Sequence, residues 1–143
     1  MEPKITFWAN APVFPSEDPD KVEAALLSLF PEAATERAPG RISASFDSVE
    51  HLVRLITDQK TRYAFLQAVG RSSTGSRFSL KLNKQAACVS KVNVVDEPKP
   101  LGSIEFGGEL PDPLLYFEKE LDAVGFLTAR RDQAESQGEV EAG

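Results

Sequence analysis

The sequence predicts an α+β domain with a mainly antiparallel sheet and helices packed on one face. Three observations lead there. Short segments alternate strictly between apolar and polar residues, as strands with one wet face do. Segments with apolar residues at helical spacing lie between them. Turn and cap residues punctuate the boundaries. The 143 residues are 41% hydrophobic and 27% charged, an ordinary balance for one packed domain. We assign residues 1–127 to that domain and the polar, aperiodic stretch 128–143 to a disordered tail.

Ile5 to Ala11 is the first strand, with Ile5, Phe7 and Ala9 alternating against Thr6, Trp8 and Asn10. Asp18 is a good helix N-cap and Pro19 suits the first helical position. Val22, Ala25, Leu26, Leu29 and Phe30 then share a face, and Pro31 stops the helix. Ala33 to Arg37 is a short strand, Ala38-Pro39-Gly40-Arg41 a turn, and Ile42, Ala44 and Phe46 the buried side of the next strand. Asp47 and Glu50 have capping-box spacing ahead of a helix carrying Val49, Leu52, Val53 and Ile56. A third helix spans Thr61 to Val69, with Gly70 as its C-cap and Ser72 to Ser76 as a loop. Arg77 to Asn83 and Ala86 to Val95 are strands, the second with Cys88, Val92 and Val94 inward. Ser103 to Glu109 is a strand after a Pro-rich loop, and Asp112-Pro113 opens a last helix with Leu114, Phe117, Leu121 and Val124 on one face.

Charge is distributed unevenly. The chain carries a net −6, yet Arg54 to Lys91 holds eight basic residues and one acidic one, Asp58. Such a local block suits a polyanion, RNA above all, and its binding is expected to weaken with salt. Lys60, Arg62, Arg71, Arg77, Lys81, Lys84 and Lys91 are the expected phosphate contacts. Thr6, Trp8, Ser43, Ser45, Arg77, Ser79, Lys81, Lys91 and Asn93 fall on the outward side of the strands, where Trp8 can stack on a base. The same face, with its Trp and Arg, equally suits a protein partner or a second copy of the chain.

Catalysis finds little support. Gly70 to Arg77 has glycines at P-loop spacing but Ser76 where the lysine belongs, and it runs from helix to strand, the reverse of a P-loop. Glu17, Asp18 and Asp20 read as helix-capping carboxylates. His51 falls opposite the apolar stripe of its helix, and Cys88 on the inward side of a strand, which separates them. One cysteine excludes an internal disulfide and fits a cytoplasmic protein. No segment approaches the ~20 apolar residues that span a bilayer, and nothing calls for a cofactor or metal.

Several ordered blocks resemble an archaeal family of uncharacterised proteins: Ala11-Pro12-Val13-Phe14-Pro15-Ser16-Glu17-Asp18-Pro19, Asn83-Lys84-Gln85-Ala86-Ala87, Lys91-Val92-Asn93 and Leu101-Gly102-Ser103-Ile104-Glu105. The resemblance runs from Ile5 to Val124. It implies an α+β fold like that of the fifth large-subunit ribosomal protein. A sister archaeal family is associated with RNA and the exosome, which by analogy implies RNA processing or the ribosome here. The most recognisable block contains Lys84 and Gln85, which the resemblance makes candidate ligand contacts. The alternative is that Asn83 to Ala87 only makes a turn between paired strands.

Overall fold

A computed structural model describes residues 5–95 and 102–124. The alternating segments become five strands: β1 (Thr6–Pro12), β2 (Ala34–Ala38), β3 (Arg41–Phe46), β4 (Arg77–Asn83) and β5 (Ser103–Glu109). They form one sheet in the order β2-β3-β1-β5-β4, and every neighbouring pair is antiparallel. The helices are α1 (Pro19–Leu29), α2 (Glu50–Gln59), α3 (Arg62–Ser72), the short α4 (Lys84–Ala87) and α5, over residues 113–124. Their apolar stripes join the inward residues of the strands in one buried cluster, which leaves the other sheet face open. The α+β expectation holds.

Local chemistry sets the boundaries. Asp18 accepts the Asp20 backbone N–H at 2.9 Å, Pro19 follows in the first turn, and α1 ends one residue short of Phe30, before Pro31. Pro39 and Gly40 link β2 to β3. Gly40 has φ +76°, which the third place of a type II turn demands. At the start of α5, Asp112 accepts the Leu115 N–H at 3.2 Å.

Rings fill the core. Phe7, Phe46, Phe78 and Phe106 come from four different strands, and Phe30, just past the end of α1, and Phe117 of α5 close over them. Phe30 and Phe46 stack with centroids 4.3 Å apart, while Phe65 and Phe117 meet edge-on at 5.1 Å. Gly108 on β5 is the inward position beneath this cluster. A Cβ there would lie 2.7 Å from Phe7 Cδ1 and 2.8 Å from the Thr6 carbonyl.

Three local expectations are corrected. Ala86 to Val95 is not a strand: Asn83 accepts the Ala86 N–H at 2.9 Å, and the helix-favouring Lys-Gln-Ala-Ala run turns into α4. Ser90, in left-handed backbone at φ +57°, then reverses the chain, so Cys88 is exposed rather than inward. Val92 is buried as expected. The Asp47–Glu50 capping box does not form, because α2 begins at Glu50 itself with Val49 as its cap. Gly70 is no C-cap. Helix α3 runs through it to Ser72, and Gly70 lies against Leu114. The Pro-rich loop expected from Asp96 and the tail over 128–143 lie outside the described residues.

Gly108→Ala is expected to destabilise the fold by about 2–3 kcal/mol, because the contacted atoms are backbone and packed ring. Gly40→Ala meets nothing within 4 Å and pays only for left-handed backbone, about 1 kcal/mol. Urea midpoints of the two variants should fall in that order.

Candidate nucleic-acid interface

Strand register lays out the open face in rows. Trp8 lies between Ser45 and Gly107, with Ser79 beyond. Asn10 lies between Ser43 and Glu105, with Lys81 beyond. Thr6 is opposite Glu109, which is itself opposite Arg77. The strand residues expected on this face are therefore there. Lys91 and Asn93 are exposed but belong to the segment after α4, not to a strand of the face.

The face is not basic, which corrects the sequence expectation. Lys81 is directly opposite Glu105, and Arg77 opposite Glu109 with Nε 4.0 Å from the carboxylate. Ser79 Oγ donates to Glu105 Oε1 at 3.2 Å. Arg41 and Glu36 complete the exposed charges of β3 and β2 on this side. Exposed pairs of this kind add little stability, yet they cancel much of the field a phosphate would feel. Trp8 is partly exposed. Its indole lies against the backbone of Gly107, where a Cβ would come within 2.5 Å of Cζ2.

The cations divide into groups. Arg77 and Trp8 line a cleft of about 270 Å³ with Ser72, Thr74, Ser79 and Glu105. Arg71 and Lys81 line a second, of about 310 Å³, which shares Ser72 and Ser79 with the first. These residues therefore gather around β4, the last strand of the sheet. Lys60 and Arg62 line a separate cleft of about 450 Å³ where α2 meets α3. Arg62 pairs with Asp122 of α5 at 2.5 Å. The turn carrying Lys91 is fastened to the end of α2: Gln59 Nε2 donates to the Ser90 carbonyl at 3.1 Å, and the Val92 N–H donates to Gln59 Oε1 at 3.0 Å. Arg54 pairs with Glu50 at 2.7 Å on the exposed side of α2.

Lys84 is corrected outright. It is 4% exposed. Its ammonium donates to the Pro12 carbonyl at 2.7 Å and to both Glu17 oxygens at 2.9 and 3.1 Å, and it lies 5.4 Å from the centre of the Phe14 ring. A charge held this way inside the protein serves the fold, not a phosphate. Glu17 is likewise not a helix-capping carboxylate. It precedes α1, and besides Lys84 it accepts the Phe14 N–H at 3.1 Å. Gln85, beside Lys84 on α4, is exposed. A residue that sequence reasoning missed is Tyr63, 80% exposed at the α2–α3 corner. Its position two residues before the buried Phe65 puts it off the apolar stripe, which was the available signal.

Among the described residues no group of three or more His, Cys, Asp or Glu is placed to hold a metal ion, and no helix is long and apolar enough to cross a membrane. A sequence model of a family described as RNA binding matches residues 8–107, and the chain belongs to that family. The chain is also similar to several archaeal UPF0201 proteins. The chain is 33% identical over 118 residues to a UPF0201 protein of Sulfolobus acidocaldarius, covering 76% of this chain and 81% of that one. It is 32% identical over 119 residues to one from Methanosarcina acetivorans, covering 71% and 73%. The crystal structure of the UPF0201 protein of Methanococcus jannaschii superposes with a TM-score of 0.72 at 27% identity, covering 81% of this chain and 98% of that one.

Lys84→Met leaves the Glu17 carboxylate nearly buried and without its cation, an expected loss of about 3 kcal/mol. The double variant Glu17→Leu/Lys84→Met should lose less than the single one. Urea denaturation of the two variants measures the difference.

Proposed function

We propose that this chain binds RNA without catalysing a reaction, and that its contact surface follows β4 instead of spreading across the open sheet face. The observation that carries the reading is the coincidence of an RNA-binding family match with Arg71, Arg77 and Lys81 around two clefts that meet at Ser72 and Ser79. Arg71 and Lys81 are exposed, and among the described residues neither makes an ion pair. The hydroxyl of Thr74 adds a neutral donor beside them, while those of Ser72 and Ser79 already donate to the Val69 carbonyl and to Glu105; cations beside a neutral donor suit a sugar–phosphate backbone. Trp8 borders the Arg77 cleft and offers the rim of its ring to a base. Nothing in this surface calls for bond-making chemistry. A place in RNA processing or on the ribosome, in the cytoplasm, accords with the resemblance of the ordered blocks.

A second reading rests on the balance of the open face. Arg41, Arg77 and Lys81 stand there with Glu36, Glu105 and Glu109, so a second copy can meet the face without net repulsion. Light scattering with quenching of Trp8 fluorescence separates the two: a stable dimer that shields Trp8 supports assembly through the face.

Labelled RNA, single-stranded and structured, should bind at low salt and release as salt rises. Arg71→Ala and Lys81→Ala should each lower the slope of log affinity against log salt by roughly one, while Arg54→Ala leaves it unchanged. Absence of binding at every salt concentration sinks the reading.

A further inference from the structure

Residues 60–63 depart from what stability alone favours in three ways. Lys60 closes α2 in left-handed backbone, φ +58° and ψ +37°, its N–H returning to the Ile56 and Thr57 carbonyls. Glycine or asparagine takes that place at less cost. The hydroxyl of Thr61 is buried with no hydrogen-bond partner among the described residues, a feature that native structures rarely leave unexplained. Tyr63 presents 80% of its surface to solvent. Costs gathered at one corner point from strain towards use. Beside them lies a cleft of about 450 Å³, with Leu66 and Leu121 as its apolar lining and Lys60 and Arg62 among its borders.

We infer that this corner is a nucleobase subsite, in which one base of a single-stranded RNA stacks on Tyr63 and the flanking phosphates meet Lys60 and Arg62. The inference rests on the RNA reading and adds to it a second point of contact, on the helical side of the protein. The chemistry fits. An exposed ring with two cations on its own turn is the combination that single-strand binders use, and stacking tolerates any base because each has a π-face. Arg62 is already steered by Asp122, which engages one guanidinium nitrogen and leaves the other N–H groups for a phosphate. A duplex has its bases stacked internally and offers none to Tyr63, so the subsite predicts a preference for single strands. A protein partner could use the same apolar lining, but the cations at the border favour the polyanion.

The test uses the full chain and a labelled single-stranded adenine oligomer of about ten nucleotides, within the span such sites cover. Fluorescence anisotropy at low salt reads the affinity. Tyr63→Ala should weaken binding roughly tenfold, and Tyr63→Phe should keep it, because the ring and not the hydroxyl does the stacking. Lys60→Gly should weaken binding while raising the thermal midpoint, since it removes a phosphate contact and the left-handed strain together. Affinity for an RNA duplex should not change in Tyr63→Ala. If the wild-type chain binds the oligomer and Tyr63→Ala binds equally well, the subsite is overturned while the β4 surface stands. If the wild-type chain binds no RNA, both fall. If Tyr63→Ala instead abolishes self-association seen by light scattering, the cleft is a protein interface and the inference is overturned.

Discussion

The sheet depends on two adjacent positions without side chains. Gly107 and Gly108 sit in β5, one residue facing each side of the sheet. On the open side the Trp8 indole occupies the space over Gly107; on the core side Phe7 and Phe78 occupy the space over Gly108. A strand centre made of glycine is ordinarily weak, because it gains no packing of its own and loses the most backbone entropy. Here neighbouring strands supply the packing by laying rings onto bare backbone. The register of β1 and β4 on β5 follows from that arrangement, since sliding either strand by one residue would drive rings into the wrong face.

Register in turn fixes the electrostatics. With β4 locked against β5, Arg77 and Lys81 must face Glu109 and Glu105. The open face is thereby screened, and the cations that retain influence are those turned towards the rim of β4 or set on the helices. The distinction matters because attraction to a polyanion depends on local field and not on the number of cations in a stretch of sequence. Lys84 makes the same point from inside. Its charge is joined to Glu17, so it holds the segment before α1 against the end of β4 and gives nothing to the surface.

Much of the fold was legible in the sequence because alternation and helical spacing report directly on which side is buried. The strand faces of β1, β3 and β4 and the stripes of α1 and α2 came out as read. The lost strand has a local cause. Val89, Val92, Val94 and Val95 carry strong strand preference, but Asn83 capped a helical turn first and Ser90 reversed the chain, so a local hydrogen bond outweighed propensity. The basic stretch misled for a related reason. Arg62, Arg77 and Lys84 pair with Asp122, Glu109 and Glu17, and Lys81 stands opposite Glu105; these carboxylates all lie outside the stretch, and only the folded chain brings them near. Tyr63 escaped notice because an exposed aromatic leaves no periodic trace except its absence from the stripe.

The two ends of the sheet are finished differently. At one end β2 is short, almost wholly exposed, and carries Glu36 and Arg37, the latter braced by Asp20 and Glu23 of α1. At the other, the chain doubles back beside β4: the Asn83 N–H donates to the Asn93 carbonyl at 2.8 Å, and the Val95 N–H to the Lys81 carbonyl at 2.9 Å. Charge deters a newcomer at the first border, and the protein's own backbone already occupies much of the second. Molecules crowded together in a cell consequently find a poor template for joining their sheets into continuous ribbons.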